Sequence, residues 1–157
     1  MKSITAASGG IAFKIWILAL LTNTIGGSFM LGGLGIEFFM FAMIGGFFGL
    51  IFSFPIFLII WKILYQLFKK GYSYSEVFWG LMLAGGILAA LAYGVFAVLF
   101  NMAPFDGASL AILAIVSGCT GIVLSQGSIK KYCSKKDEEE VAIEQIGRNE
   151  TENNYAS

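Results

Sequence analysis

LLTNTIGGSFMLGGLG, residues Leu20 to Gly35, is apolar enough to sit in lipid, yet it carries three neighbouring hydrogen-bonding side chains, Thr22, Asn23 and Thr24, and five glycines. A polar group in a bilayer must find a partner within the protein. The two threonines can return their hydroxyls to carbonyls of the preceding helical turn. Asn23 falls in a row of small residues, where its amide can reach a carbonyl or hydroxyl on a neighbouring helix, whereas exposure to lipid would leave its donors unpaired, so it is expected to point inward. Gly32, Gly33 and Gly35 suit a helix exit and a short hairpin. The stretch therefore reads as the far end of a membrane-spanning helix turning back into a second one.

The remainder of the chain agrees with that reading. Of its 157 residues, 57% are hydrophobic and 13% charged, with a mean hydropathy of +0.80, more apolar than a water-soluble domain of this length accommodates. A helix needs roughly 20 mainly apolar residues to cross the hydrocarbon core. Four runs meet that length: Ile11 to Leu31, Phe38 to Leu64, Val77 to Phe100 and Ala108 to Gln126. The expected fold is all-α, an integral membrane four-helix antiparallel bundle occupying residues 1–127, with residues 128–157 as a flexible polar C-terminal tail. Pro55 is expected to kink the second span. The first span, with Lys2 and Lys14 ahead of IWILALL, could serve as a secretory signal, but the block runs into Thr-Asn-Thr where a cleavable signal would end in a small-x-small site, so it is read as an uncleaved anchor.

Charge placement sets the direction of threading. Lys2 and Lys14 flank the first span, Lys62, Lys69 and Lys70 close the second, and Lys130, Lys131, Lys135, Lys136 and Arg148 follow the fourth. The two other connections, residues 32–37 and 101–107, hold no Lys or Arg. The positive-inside rule then puts both termini in the cytoplasm of a multi-pass cell-membrane protein, with a bacterial inner membrane favoured by the lysine-heavy basic set. Lys69, Lys70, Lys130, Lys131, Lys135 and Lys136 are expected to contact lipid headgroups. Trp16, Trp61, Tyr65, Tyr72, Tyr74 and Trp79 gather near the same boundary, as interfacial anchors do.

Lipid tails are as apolar as leucine, so membrane helices associate through close backbone contact and interhelical hydrogen bonds. Small or polar residues recur every four positions in each span: Ala19, Asn23 and Gly27; Gly45, Gly49 and Ser53; Gly86, Ala90 and Gly94; Ser117, Gly121 and Ser125. These rows are the expected packing faces. Ser73 and Glu76 match a capping box opening the third span; an ion pair of Glu76 with Lys14 is the alternative. Phenylalanines surround the second span and are expected to meet lipid or neighbouring helices. The tail switches from basic to acidic at Asp137, with a short helix expected around Val141 to Ile146 and a disordered end, NETENNYAS. Cys133 is expected to be a plain juxtamembrane thiol.

Asn23-Thr-Ile-Gly-Gly-Ser-Phe resembles the Asn-x-x-Gly-Ser-Phe segment of the small four-span fluoride channels, with one extra residue between Asn and Gly. The resemblance covers those positions only. The chain lacks that family's Gly-rich first helix with its following Arg and its Thr-Phe-Ser helix break, so no family is assigned from it.

Several functional classes lose their basis in composition. The chain has no histidine, which removes the commonest metal ligand and general base. No acidic residue lies at a span centre, where proton and cation paths usually need one; Glu37 and Asp106 fall in the lysine-free connections. No catalytic, cofactor-binding or metal-binding residues are assigned, and neither an enzyme nor a nucleic-acid partner is expected. The leading expectation is a noncatalytic polytopic protein acting through helix contacts: an accessory or regulatory subunit of a membrane complex, or a toxin-protection protein. Its partners would be the lipid bilayer and either further copies of itself or another membrane-protein subunit. The alternative is a small oligomeric channel or transporter whose polar pathway is lined by Asn23, Asn101, Ser117, Thr120 and Gln126.

Overall fold

The computed structural model describes residues 4–32, 35–99 and 108–155. They form four helices, α1 (Ile4–Gly32), α2 (Ile36–Lys70), α3 (Tyr74–Leu99) and α4 (Ala108–Tyr155), and no strand among the described residues. Each contains a segment long and apolar enough to cross a membrane: Ile4–Met30, Ile36–Lys70, Tyr74–Val95 and Ala108–Lys136.

The helices run antiparallel to their neighbours, because contacts between them rise in number on one helix as they fall on the other. Ser8 meets Trp61 and Trp16 meets Ser53 across α1 and α2. Lys14 meets Ser128, and Gly26 faces Leu113, across α1 and α4. α1 packs on α2 and α4, and α3 packs on α4 and more sparingly on α2.

The core gathers at one end of this bundle. Ile11, Ala12 and Ile15 of α1, Ile60, Leu64 and Phe68 of α2, Val77 and Leu81 of α3, and Ile122, Ile129 and Cys133 of α4 are buried together. This is the end that carries the lysines. Towards the opposite end fewer side chains are buried, and Phe39, Met43 and Phe47 of α2 and Leu91 and Val98 of α3 are exposed. In a bilayer such side chains have lipid or another helix for cover.

The helices extend beyond the expected spans. α1 begins at Ile4, ahead of Ile11, because Ser8, Ile11, Ala12 and Ile15 hold a helical repeat of buried positions against α2 and α4. α2 continues through Pro55 and past Leu64 to Lys70, since Leu64 and Phe68 belong to the core. Its end is a left-handed cap: Gly71 has φ 74°, its N–H donates to the Phe68 carbonyl at 3.3 Å, and the Tyr72 N–H donates to the Leu67 carbonyl at 3.4 Å. That pair of bonds satisfies two carbonyls the helix leaves open.

α3 starts at the expected capping box. The Ser73 N–H donates to a Glu76 carboxylate oxygen at 2.8 Å, the Ser73 hydroxyl donates to the same oxygen at 2.8 Å, and the Glu76 N–H points back to the hydroxyl at 3.5 Å. The tail corrects a second expectation. It is helical to Tyr155, so the expected short helix and disordered end are both replaced by a continuation of α4. Propagation from a helix already nucleated needs no new nucleus, and Glu, Ala and Gln, frequent between Asp137 and Gln145, are strong helix formers.

Candidate functional site

The tightest feature of the molecule is the seam between α1 and α4. Ser117, Gly121 and Ser125 are buried on one face of α4, as the four-residue spacing predicts. A Cβ at Gly121 would stand 2.6 Å from the Ile15 carbonyl oxygen, 3.1 Å from the Ala19 nitrogen and 3.2 Å from the Ala19 Cβ. The two backbones therefore approach to a distance only glycine permits. The same seam continues at Gly26, whose missing Cβ makes room for Leu113. On either side of Gly121 the Ser117 and Ser125 hydroxyls are buried without a hydrogen-bond partner.

The α1–α2 interface is held by two indole bonds. Trp16 Nε1 donates to Ser53 Oγ at 2.8 Å and Trp61 Nε1 donates to Ser8 Oγ at 3.2 Å. Phe57 fills the space between the indoles, with its ring centroid 5.4 Å from Trp16 and 6.3 Å from Trp61. Gly49 admits the Leu20 side chain, and Gly46 faces the Thr24 methyl. Gly49 and Ser53 thus pack as expected, whereas Gly45 is exposed with open space where a Cβ would be.

Two rows differ from expectation. In α1, Ala19 and Gly27 are half-buried but Asn23 is exposed between them, so its amide does not reach across an interface within the chain. At about 100° per residue Asn23 stands between the Ala19 side, which meets α4 at Gly121, and the side of Leu20 and Thr24, which meets α2 at Gly49 and Gly46, so it faces neither neighbour squarely. In α3 the buried glycine is Gly85, which faces Ile122 of α4 and sets its carbonyl 3.8 Å from a Cβ position at Gly118. The expected row lies one residue further on. Gly86 is half-buried, Ala90 and Gly94 are exposed, and both glycines have open space at the Cβ position.

Within one chain the described residues of the expected polar pathway are not gathered in one place. Asn23 and Gln126 are exposed, Ser117 is buried in the α1–α4 seam, and the Thr120 hydroxyl donates to the Val116 carbonyl at 2.8 Å. Asn101 lies outside the described residues. Thr22 and Ser28 likewise donate to the carbonyls of Leu18 and Thr24, at 2.9 and 2.7 Å. Thr22 does so as expected; Ser28 carries the bond expected of its neighbour Thr24.

Of the lysines expected at headgroups, Lys69, Lys70, Lys130, Lys131 and Lys135 are exposed. Lys136 is half-buried and donates to the Phe68 carbonyl at 3.3 Å, joining α4 to the end of α2. Next to it the Tyr132 and Phe68 rings lie 4.2 Å apart. Lys14 donates to Ser128 at 3.1 Å, so the alternative pairing with Glu76 is not formed. Cys133 is buried in the core, unlike a juxtamembrane thiol open to modification. Among the described residues no three Cys, Asp or Glu gather as metal ligands would. What the arrangement can do is hold helices together through backbone contact, and it offers one further small-residue face, on α3, to the outside. Comparison with known protein families, with curated proteins and with solved structures found no match for this chain.

Proposed function

We propose that this chain is a noncatalytic multi-pass membrane protein that works by helix–helix contact with further copies of itself or with another membrane subunit, as an accessory, regulatory or toxin-protection component. The observation that carries the proposal is the unused face of α3. Gly86, Ala90 and Gly94 stand one turn apart with nothing against the glycines. Leu83, Ile87, Leu91 and Val95, exposed beside them, form the ridge of a ridge-and-groove surface. Inside the chain the same chemistry, at Gly121 and Gly85, is what brings helices into contact. A second small-residue groove left open to the bilayer is suited to a partner helix. The dispersal of Asn23, Ser117, Thr120 and Gln126 gives the channel reading no comparable support.

Threading with both termini in the cytoplasm, in a bacterial inner membrane, belongs to the same proposal and is supported by the lysine-free connections at residues 32–37 and 101–107. The test is G86L/G94L in mild detergent, with association read by cross-linking and copurification. The expected result is loss of the homo-oligomer or partner with helicity and thermal unfolding unchanged, because neither side chain meets anything within the chain. A wild-type protein that is monomeric and partner-free overturns the proposal.

A further inference from the structure

A shallow groove of 360 Å³ runs along the end of α2, lined by Lys62, Ile63, Gln66, Leu67, Lys70 and Tyr72. Lys62, Gln66 and Lys70 recur every four residues and so share one side of the helix, spanning about 12 Å along its axis. They present two ammonium groups with an amide between them. Ile63 and Leu67 supply an apolar floor beside those donors, and no carboxylate lines the groove.

Two observations show that these lysines are not needed to complete the fold. Two carbonyls at the α2 terminus, of Leu67 and Phe68, which would otherwise attract cations, are taken by the N–H groups of Tyr72 and Gly71 and by Lys136 Nζ. Lys62 and Lys70 are both exposed. The depth is also right. α2 has 35 residues, about 52 Å of helix against a hydrocarbon core of about 30 Å, so its last turns stand at headgroup level.

We propose that this groove binds the phosphate of an anionic phospholipid, with Lys62 and Lys70 on the phosphate oxygens, Gln66 donating between them, and the glycerol and first acyl carbons on Ile63 and Leu67. A phosphodiester carries the negative charge that the two ammonium groups complement. The apolar floor distinguishes a lipid from a free phosphate, which has nothing to place there. Naming the inner leaflet rests on the proposed threading; the site itself does not.

The test uses the full chain in neutral detergent, with lipid retention measured by native mass spectrometry. The probes are phosphatidylglycerol, phosphatidylcholine and inorganic phosphate, and the proteins are wild type, K62Q/K70Q and K2Q/R148Q, the last removing the same charge from positions not assigned to headgroups. At about fivefold per lysine, K62Q/K70Q should weaken phosphatidylglycerol binding roughly 30-fold and K2Q/R148Q no more than about threefold. Phosphatidylcholine should bind more weakly and be indifferent to either change. If K62Q/K70Q loses helicity, K70Q alone should show the fivefold effect. Equal losses in the two double variants, equal binding of the two lipids, or displacement of phosphatidylglycerol by millimolar inorganic phosphate would each overturn the assignment.

Discussion

Replacing Gly121 by alanine tests whether backbone contact between α1 and α4 holds the bundle. The new methyl would lie 2.6 Å from the Ile15 carbonyl oxygen, against an ordinary carbon-to-oxygen contact of about 3.3–3.6 Å. The helices must therefore part by roughly 0.7–1 Å, enough to forfeit a quarter to a half of each dispersion well along the seam. Neither neighbour can yield, since both are backbone. Overpacking of this kind costs about 1–3 kcal/mol. Alanine also gains roughly 1 kcal/mol over glycine in a helix, which would blur a single measurement. G127A, in the same helix, supplies the correction, because it carries the same propensity gain with open space at its Cβ. The stability difference between the two variants should then be about 1–3 kcal/mol, with G121A the weaker. Unfolding by SDS or heat in one detergent, followed by the fluorescence of Trp16, Trp61 and Trp79, measures it. A G121A protein within about 0.5 kcal/mol of G127A would refute the reasoning.

Other positions give sharper local tests. G71A places a Cβ on a residue with φ 74° and 3.0 Å from Lys136 Nζ; a loss of about 1 kcal/mol is expected in the same unfolding assay, with G127A, which has open space, as control. S73A removes the cap of α3 and should cost about 1 kcal/mol, read as faster amide exchange confined to the first turn. W16F should lose about 1 kcal/mol through its bond to Ser53; in a cycle with S53A the double variant should cost little more than either single one.

Much of the fold is legible in the sequence because bilayer thickness and charge leave few choices. Four apolar runs long enough to cross a bilayer stand out by length and hydropathy alone, and each becomes a helix; Ser73-Tyr-Ser-Glu76 opens a helix for a local reason. Ser117, Gly121 and Ser125 could be read as a face because no competing row of small residues borders them. α3 offers Gly85 and Gly86 side by side, and spacing alone cannot choose which one meets α4. The choice falls to Ile122, whose side chain fits the space at Gly85. Asn23 misled because its polarity demands a partner, and demand does not set the direction in which a helix faces. The indole bonds to Ser8 and Ser53 escaped notice since interfacial tryptophans need no such partner. Low hydropathy hid the end of α4, where a helix already formed needs only tolerable residues to continue.

α4 is one unbroken helix from Ala108 to Tyr155, which makes it a lever with its fulcrum inside the bundle. Its pivot is Gly121, pressed against the α1 backbone, and the arm beyond reaches about 51 Å to Tyr155. A tilt of about 10° at the pivot would swing the far tip through roughly 9 Å. The Lys136 bond to Phe68 and the Tyr132 ring act as a latch part-way along that arm. A change in how the far ends of the helices are occupied would thus be delivered beyond the lysine-bearing end of the bundle as displacement of a rod.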